Sequence, residues 1–528
     1  MVIARLFDRI RLLSDRRAEE DLPRPRGGLP PLSMARSFRC PPTLYTGLLV
    51  LPVLVGFTWA PAPRTPDPAP MEPAAVSHYF HSAAAERQTP RKVFAHYMTS
   101  FPISIDNKGA DQDYYATQYL TVHGEKGIHA AYGGYLRDRP LPRPVSDRAD
   151  WQLADVETEI GQAKSVGIDG FAVDVIALRA SSNVVDRMLK AASVAGDFDI
   201  LVTADVTGPL GAMDPEAFAA EIAPYLVAPG AFHLADGRPV LGAFAAERKP
   251  TSWWTSVLNI LRTQFNAPAA FVPTFLDVAD SPENFAPFSY GFSMWGGRSP
   301  SEMADHDTGR GSPVDVIRRT HQLGKLWMQP VAFQDARPRS GVFEESDNSL
   351  TNRLSWQLAD QQRAEWVQLI TWNDYSESTA MAPSVAHGWR ILDMNAYDIT
   401  GFKTGAVPAV DRDALFVSFR DQPVSATPRY PETSLTRVVP SSAPPRDTVE
   451  VVAFATAPAQ VSVRAGSQVH SCDVAEGRTI CTFPLTLGSF SATMTRAGAE
   501  VATAQSNADI TETPYTQDLQ YRVVGGLR

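Results

Sequence analysis

The sequence is poor in the features that mark several functional classes. It has 3 cysteines in 528 residues and no Cys/His cluster with zinc spacing, which excludes a scaffold built on disulfides and argues against a zinc module. Its 48 Lys and Arg are outnumbered by 58 Asp and Glu, and the resulting net charge of −10 argues against nucleic-acid binding. No repeat of roughly 20–50 residues is visible, which excludes solenoids and propellers.

The remaining composition is that of a folded protein with more than one domain. Hydrophobic residues make up 44% and charged residues 20% of the chain, as in ordinary globular proteins. The length exceeds what a single small core can organise, and two or three domains are expected.

Residues 47–60 form an uncharged, largely apolar stretch that follows Arg36 and Arg39. The stretch is short for a membrane span, which needs about 20 residues. A basic region, an apolar region and a small-residue exit are typical of a secretory signal, and they predict an exported protein, extracellular or periplasmic. A membrane anchor that tethers an outward-facing domain is the alternative.

Met34 stands where such a signal normally begins, which indicates that translation starts there. We therefore assign residues 1–60 to an N-terminal extension and signal. Residues 61–90 begin with a Pro/Ala-rich stretch and are assigned to an extended linker.

Two of the cysteines lie in the part of the chain that remains after export. Cys472 and Cys481 flank a turn-like Ala-Glu-Gly between two β-rich runs. In an exported protein this pair predicts a disulfide that clamps a hairpin. Two unrelated buried thiols are the alternative.

Eight short apolar runs alternate with longer stretches of helical periodicity between residues 91 and 400. Strands that are apolar on both faces are typical of a parallel sheet, and eight of them joined mostly by helices predict an α/β fold, a (β/α)8 TIM-type barrel. An open doubly wound sheet is the alternative, but no Gly-x-Gly-x-x-Gly motif follows the first strand. The predicted strands cover residues 92–98, 170–176, 199–206, 240–245, 269–276, 290–295, 326–333 and 366–373, and the predicted helices cover 150–166, 182–195, 215–227, 314–323 and 350–364.

The pattern of the sequence changes after residue 400. Residues 401–446 are predicted to be a connecting segment that ends in a PSSAPP linker. Residues 447–528 contain short strands rich in Thr, Val and Ser with a period of two, which predict a small antiparallel β-sandwich domain.

The active site of a TIM-type barrel lies at the carboxyl ends of its strands. Glycoside hydrolysis requires two carboxyl groups that flank the scissile bond, with aromatic faces that stack on sugar rings. Carboxylates and aromatic residues end nearly every predicted strand. The sequence therefore predicts a carbohydrate-processing site at this end of the barrel, which we call the mouth. The residues at these strand ends are His96, Tyr97, Asp174, Asp205, Glu247, Asp277, Trp295, Gln334, Asp335 and those of the segment 371–378.

Most of these residues also have a simpler structural interpretation. Asp174 and Asp205 occupy places typical of helix N-caps, and His96 is equally consistent with a hydrogen-bonded residue of the barrel interior. Glu247 fits a solvated loop charge, and the tryptophans fit core aromatics. The segment 372–377 is harder to explain in this way, because it places two carboxylates, an amide and two rings directly after a buried strand, where desolvation is costly.

Five stretches of the sequence resemble glycoside hydrolase family 71, the α-1,3-glucanases also called mutanases. They are VFAHYM (93–98), AKSVGIDGFA (163–172) with Asp174, GRPV (237–240), FSMW (292–295) and ITWNDYSES (370–378). The resemblance covers about residues 91–400, and the tail from Asp447 is similar to a β-rich extension of family members. Ser376 stands where Gly is common, and the loop 103–148 is longer than expected. Both departures concern the shape of the substrate cleft.

The resemblance implies an inverting hydrolase of α-1,3-glucan. One carboxyl group protonates the glycosidic oxygen while the other activates a water on the opposite face of the sugar. We assign the pair to Asp374 and Glu377, with Glu377 as the acid and Asp374 as the base. The implied enzyme needs no metal or cofactor, acts as a monomer on a polysaccharide, and has no stable membrane association once the signal is removed. The candidates for substrate contacts are His96, Tyr97, Asp174, Asp205, Trp295, Trp372, Asn373 and Tyr375.

Other functions remain open. The related endo-α-mannosidase family also ends its last barrel strand with a Trp-Asn segment that carries two carboxylates, but it retains configuration. A non-catalytic glycan-binding wall protein is a second alternative, although a decayed site would often have lost Asp374 or Glu377. A polysaccharide deacetylase would need a His/Asp metal cluster, which the sequence lacks.

Overall fold

The computed structural model describes residues 89–303 and 309–526, so the predicted signal and most of the linker lie outside the described residues. Eight parallel strands close into a barrel in which each strand pairs with its neighbours in chain order and the last pairs with the first. This confirms the predicted TIM-type barrel. The strands are β1 (Lys92–Tyr97), β2 (Gly170–Val175), β3 (Asp199–Asp205), β4 (Val240–Phe244), β5 (Ala270–Phe275), β6 (Gly291–Met294), β7 (Leu326–Ala332) and β10 (Trp366–Ile370).

The alternation of side chains along the strands divides the barrel into an interior and an outer layer. Phe94 of β1 packs inside the barrel with Met328 and Trp366, whereas Val93 and Ala95 belong to the outer core, where the helices pack. Because successive side chains of a strand point to opposite faces, this division continues to the ends of the strands, where the polar residues stand.

Helices cover the outside of the barrel. The five helices predicted at 150–166, 182–195, 215–227, 314–323 and 350–364 are each present within a few residues of the predicted ends. Four further helices among the described residues were not predicted: Thr251–Gln264, Ser281–Phe285, Pro300–Met303 and Arg390–Thr404. The helices are α1 (Trp151–Lys164), α2 (Val184–Ala195), α3 (Pro215–Leu226), α4 (Thr251–Gln264), α5 (Ser281–Phe285), α6 (Pro300–Met303), α7 (Pro313–Gln322), α8 (Leu350–Gln361) and α9 (Arg390–Thr404).

The C-terminal part is a sandwich of two four-stranded antiparallel sheets with its own apolar core. One sheet contains β11 (Ala414–Phe419), β13 (Thr448–Ala455), β16 (Gly477–Pro484) and β19 (Arg522–Gly525). The other contains β14 (Ala459–Ala465), β15 (Gln468–Val474), β17 (Phe490–Arg496) and β18 (Ala499–Gln505). The sandwich takes its first strand, β11, from the segment 401–446 that was expected to be a connection, because the buried side chains of β11 complete the sheet between β13 and β19.

A small three-stranded sheet, separate from the barrel and the sandwich, lies beside the carboxyl end of β7. It consists of β8 (Asp335–Arg337), β9 (Val342–Glu344) and the two-residue strand β12 (Arg437–Val438). β8 and β9 form an antiparallel hairpin, and β12 adds to β9 in parallel. We call residues 335–344 the mouth hairpin. In the parts of the chain that the structure describes, no helix combines the length and apolar character that a membrane crossing requires.

Cys472 and Cys481 form a disulfide. Cys472 lies on β15 and Cys481 on β16, and these strands pair with β14 and β13 in different sheets. The expectation of a clamped hairpin is therefore wrong: the disulfide joins the two sheets of the sandwich, because the chain crosses from one sheet to the other at the intervening turn.

Replacing both Cys472 and Cys481 by Ala is expected to lower the free energy of unfolding of the sandwich by about 2–4 kcal/mol, since the short loop that the disulfide closes restricts the unfolded chain. Urea denaturation of the wild type and the double variant without reductant measures the difference. Reductant should lower the stability of the wild type and leave that of the variant unchanged. Equal stability of the two proteins without reductant would contradict this account.

Candidate active site

His96, Asp174 and Trp295 meet at the carboxyl ends of β1, β2 and β6. The Nδ1 atom of His96 lies 2.7 Å from the side-chain amide nitrogen of Gln368, and its Nε2 atom lies 3.9 Å from Asp174 Oδ1. The centroids of the His96 and Trp295 rings are 4.8 Å apart. The structure thus brings three of the predicted substrate-contact residues together, and adds Gln368, a polar residue that points into the barrel from an otherwise apolar strand.

Tyr97 and Trp372 lie on the other side of the barrel wall. Both side chains are buried in the outer core, where the Tyr97 hydroxyl donates to Glu159 Oε2 at 2.8 Å and the Trp372 indole N–H donates to Glu159 Oε1 at 3.1 Å. The strand alternation that turns His96 inward turns Tyr97 outward. The structure therefore places neither Tyr97 nor Trp372 at the mouth, and both support it from behind.

Glu159 is a residue that the sequence reasoning missed. It lies on α1, among the residues that pack against the barrel, and 2% of its surface is exposed. Burial raises the pKa of Glu159 to about 8, although the hydrogen bonds from Tyr97 and Trp372 oppose the shift. A signal was present in the sequence, because Glu159 interrupts the apolar face formed by Val156, Ile160 and Ala163.

The loop after β10 holds Asp374 in a ring of donors. The main-chain N–H of Trp372 donates to the His96 carbonyl at 2.7 Å, which fixes the start of the loop. Asp374 Oδ1 accepts hydrogen bonds from the Ser376 N–H at 2.9 Å, the Ser376 hydroxyl at 2.6 Å and the Glu377 N–H at 3.2 Å. Ser376 thus contributes a side-chain donor that Gly, the residue expected here from the resemblance, would lack.

Asn373 and Tyr375 fix this loop to its surroundings. The Asn373 side chain accepts from the Met98 N–H at 2.7 Å and donates to the Met98 and Phe101 carbonyls at 3.0 and 2.9 Å. The Tyr375 ring is buried in an aromatic cluster with Phe101 and Tyr115. Both residues were predicted as substrate contacts. The contacts described here instead join the loop after β10 to the loop after β1.

The long loop 103–148 forms a wall around the same aromatic cluster. A buried ion pair stabilises this loop: the Arg139 guanidinium lies 2.5 Å from Asp113 Oδ2. The same guanidinium stacks on the Tyr115 ring. The Leu141 N–H donates to the Pro383 carbonyl at 3.0 Å, which joins this loop to the residues that follow the segment 371–378. The extra length is thus ordered structure beside the mouth.

Glu377 contacts the mouth hairpin. Its carboxylate lies 3.4 Å from Arg337 Nη2, and its main-chain carbonyl accepts from the Ala336 N–H at 2.9 Å. Arg337 in turn donates both Nε–H and Nη2–H to Asp335 at 2.7 and 2.6 Å. Burial raises the pKa of Asp335 to about 6; Arg337 opposes the shift, and the carboxylate of Glu377 adds to it.

Arg298 connects this carboxylate cluster to Trp295. The guanidinium is 1% exposed, its carbon lies 5.3 Å from the centre of the Trp295 ring, and its Nε atom lies 3.7 Å from Asp335 Oδ2. A continuous chain of contacts therefore runs across the mouth from Trp295 to Glu377. Arg298 lies in a loop, and Arg337 ends the three-residue strand β8, which is too short for a periodic pattern, so the sequence offered no signal for either.

The other predicted mouth residues have local roles in their loops. Asp205 Oδ1 accepts from the Thr207 N–H at 2.7 Å, in a turn directly after β3. Glu247 Oε1 accepts from the N–H groups of Leu276 and Asp277, each at 3.0 Å, and so joins the β4 and β5 loops. Among residues 89–303 and 309–526, no group of three or more His, Cys, Asp and Glu side chains is arranged to hold a metal ion.

The chain is similar to known proteins of one family. The sequence model described as Glycosyl hydrolase family 71 matches residues 144–523. A glucan endo-1,3-alpha-glucosidase (agn1) of Schizosaccharomyces pombe is 25% identical over 387 residues, which cover 68% of this chain and 87% of the relative. A mutanase of Penicillium rubens is 24% identical over 392 residues, which cover 68% of this chain and 82% of the relative. Among solved structures, a GH99 endo-alpha-mannosidase from Bacteroides thetaiotaomicron is 12% identical, with a TM-score of 0.44, and covers 59% of this chain and 97% of that one.

The raised pKa of Glu159 predicts a pH-dependent stability that Glu159→Gln should reduce. Between the ordinary pKa of Glu and about 8, the folded chain holds a proton that the unfolded chain has lost, so the free energy of unfolding falls as pH rises through that window. Urea denaturation at pH 5 and pH 8 should show a smaller loss for the variant than for the wild type. Glu157→Gln, on the exposed side of the same helix, is the control and should behave as the wild type. An unchanged pH dependence in Glu159→Gln would contradict the assignment.

Proposed function

Because the chain belongs to glycosyl hydrolase family 71, we propose that it hydrolyses the α-1,3-glucosidic bonds of α-1,3-glucan with inversion of configuration. The observation that carries the proposal is the pair Asp374 and Glu377 in the loop after the last barrel strand, at the carboxyl end of the barrel. The names of the two curated relatives, a glucan endo-1,3-alpha-glucosidase and a mutanase, support the choice of substrate.

Asp374 is suited to act as the general base. Three donors converge on its Oδ1 atom, and hydrogen bonds to a carboxylate stabilise the ionised form. An ionised carboxylate can accept the proton of the attacking water. The same bonds hold the group in one orientation, so little reorganisation is needed as the water is deprotonated.

Glu377 is suited to act as the general acid. Its carboxyl group is less enclosed than that of Asp374 and lies beside Arg337, whose positive charge is largely matched by the bidentate contact to Asp335. This compensation limits the stabilisation that Arg337 gives to ionised Glu377. Protonated Glu377 then donates its proton to the glycosidic oxygen as the bond to the anomeric carbon breaks, and the developing oxocarbenium ion is attacked by water from the opposite face.

Substrate contacts are proposed for the side chains that face the mouth. Trp295 offers an aromatic face for a sugar ring, and His96 and Asp174 offer hydrogen-bonding groups beside it. Tyr97, Trp372, Asn373 and Tyr375 act through the loops that they hold. Asp205 remains a candidate at the rim, after β3.

We further propose that the enzyme is exported and acts as a monomer on its polysaccharide, without a metal or cofactor. The apolar stretch before the linker and the disulfide in the sandwich support export.

Asp374→Asn and Glu377→Gln are each expected to lower kcat on α-1,3-glucan oligosaccharides by about 10²–10⁴-fold, because each removes one partner of the proton transfers. Steady-state kinetics with reducing-sugar detection measures the loss. Asp277→Asn is the matched control and should retain activity within about twofold. The Asp277 carboxylate is exposed at the same end of the barrel, and its described hydrogen bond is to the Ala279 N–H of its own turn. Full activity in Asp374→Asn or Glu377→Gln would reject the assignment.

A proton NMR time course on soluble α-1,3-glucan oligosaccharides tests substrate and stereochemistry together. Early release of the β-anomer is the expected result and indicates inversion. Early release of the α-anomer would keep the substrate and overturn the mechanism in favour of retention. If no oligosaccharide is cleaved, the same assay with an α-mannoside substrate separates a mannosidase from a glycan-binding protein.

A further inference from the structure

We infer that the C-terminal segment, residues 517–522, is part of the active-site support: through Gln334 and the mouth hairpin it positions Glu377. The inference rests on the proposed function, in that Glu377 is taken as a catalytic carboxyl group. It assigns a role in the reaction to the domain that follows the barrel, and makes Gln334, Asp335 and Arg337 positioning residues.

The first step of the argument is the contact between the mouth hairpin and Glu377. The hairpin holds Glu377 at two points, the main-chain bond from Ala336 and the Arg337 guanidinium. Arg337 itself is held in a fixed plane by its bidentate contact to Asp335. A shift of the hairpin would therefore move both the carbonyl partner and the charge beside the Glu377 carboxylate.

The second step is that a short hairpin of this kind needs support from outside. An isolated two-stranded hairpin is marginally stable in water, and β12 adds only two residues to this one. Here Gln334, directly before the hairpin, exchanges two hydrogen bonds with the main chain of Tyr521: the Tyr521 N–H donates to Gln334 Oε1 at 2.5 Å, and Gln334 Nε2–H donates to the Tyr521 carbonyl at 3.3 Å. Leu519 packs against Ala336 and Phe343, one residue from each strand of the hairpin.

The third step is the anchoring of Tyr521 itself. Its hydroxyl donates to Glu345 Oε1 at 2.6 Å, and Arg420 donates to Glu345 Oε2 at 2.9 Å while lying 4.0 Å above the Tyr521 ring. Glu345 directly follows the hairpin, so both of its ends are tied to the same segment. All three side chains are at most 2% exposed. Because buried polar partners tolerate little displacement, this cluster fixes the segment in one place.

The experiment compares two full-length variants that each loosen the contact between sandwich and barrel. Gln334→Met removes both hydrogen bonds to Tyr521 at nearly constant side-chain volume. Arg478→Met removes the contact of Arg478 Nη1, on β16, with both carboxylate oxygens of Asp398 on α9, at 2.8 and 2.9 Å. This contact does not involve the hairpin. Both variants lose a polar contact between the same two domains, so a general effect of loosened docking should appear in both.

Gln334→Met is expected to lower kcat on α-1,3-glucan oligosaccharides by roughly 10- to 100-fold with KM changed less than about twofold, because misplacing a reacting group affects the chemical step more than binding. Arg478→Met should keep the kcat of the wild type. Hydrogen–deuterium exchange should rise in peptides that cover 335–344 and 374–379 for Gln334→Met only. If Gln334→Met does not fold, Tyr521→Phe, which removes only the bond to Glu345, should show a smaller change in the same direction.

The inference is overturned if Gln334→Met keeps the kcat of the wild type, or if both variants lose activity alike. If the wild type cleaves no α-1,3-glucan, the proposed function fails, and hydrogen–deuterium exchange alone decides the inference. Unchanged exchange of the mouth hairpin and the catalytic loop in Gln334→Met then rejects it.

Discussion

The pairing of β1 with β10, which closes the barrel, is the constraint on which the rest of the site depends. It sets Phe94 opposite Gln368 and brings the side chains of His96 and Gln368 into contact across 272 positions of sequence. The same closure lets the Trp372 N–H donate to the His96 carbonyl, so the loop after β10 starts from a fixed point. An open sheet would leave these groups at an exposed edge, without a partner that could position them.

The loop after β10, which carries the proposed catalytic pair, is supported from three directions, each with different chemistry. Behind the barrel wall, the buried carboxyl group of Glu159 holds Trp372 from the helix layer. At the side, Asn373 is bonded to the main chain of the β1 loop. In front, the mouth hairpin meets Glu377 through Arg337. Preorganised groups of this kind make catalytic electrostatics effective, because they need not reorganise as charge develops.

Much of the architecture was predictable from the pattern of residues alone. Apolar strands and helices of regular spacing specified the barrel, because these signals are local and periodic. The segment 372–377 marked the loop after the last barrel strand as the proposed catalytic loop. The assignment of individual side chains was less complete. His96, Asp174 and Trp295 reach the mouth, whereas Tyr97 and Trp372 do not, since one step along a strand turns a side chain from one face to the other.

The sequence by itself determined the barrel, the position of the carboxylate pair within it, and the presence of a β-rich domain after it. Only the tertiary structure decided what surrounds that pair. The contacts of Gln334 with Tyr521 and of Arg298 with Asp335 join residues from separate segments of the chain, and the disulfide between Cys472 and Cys481 spans two sheets. Loops carry no periodic signal, and which of them meet depends on closure of the barrel and docking of the sandwich, so these contacts could not be read from any one segment.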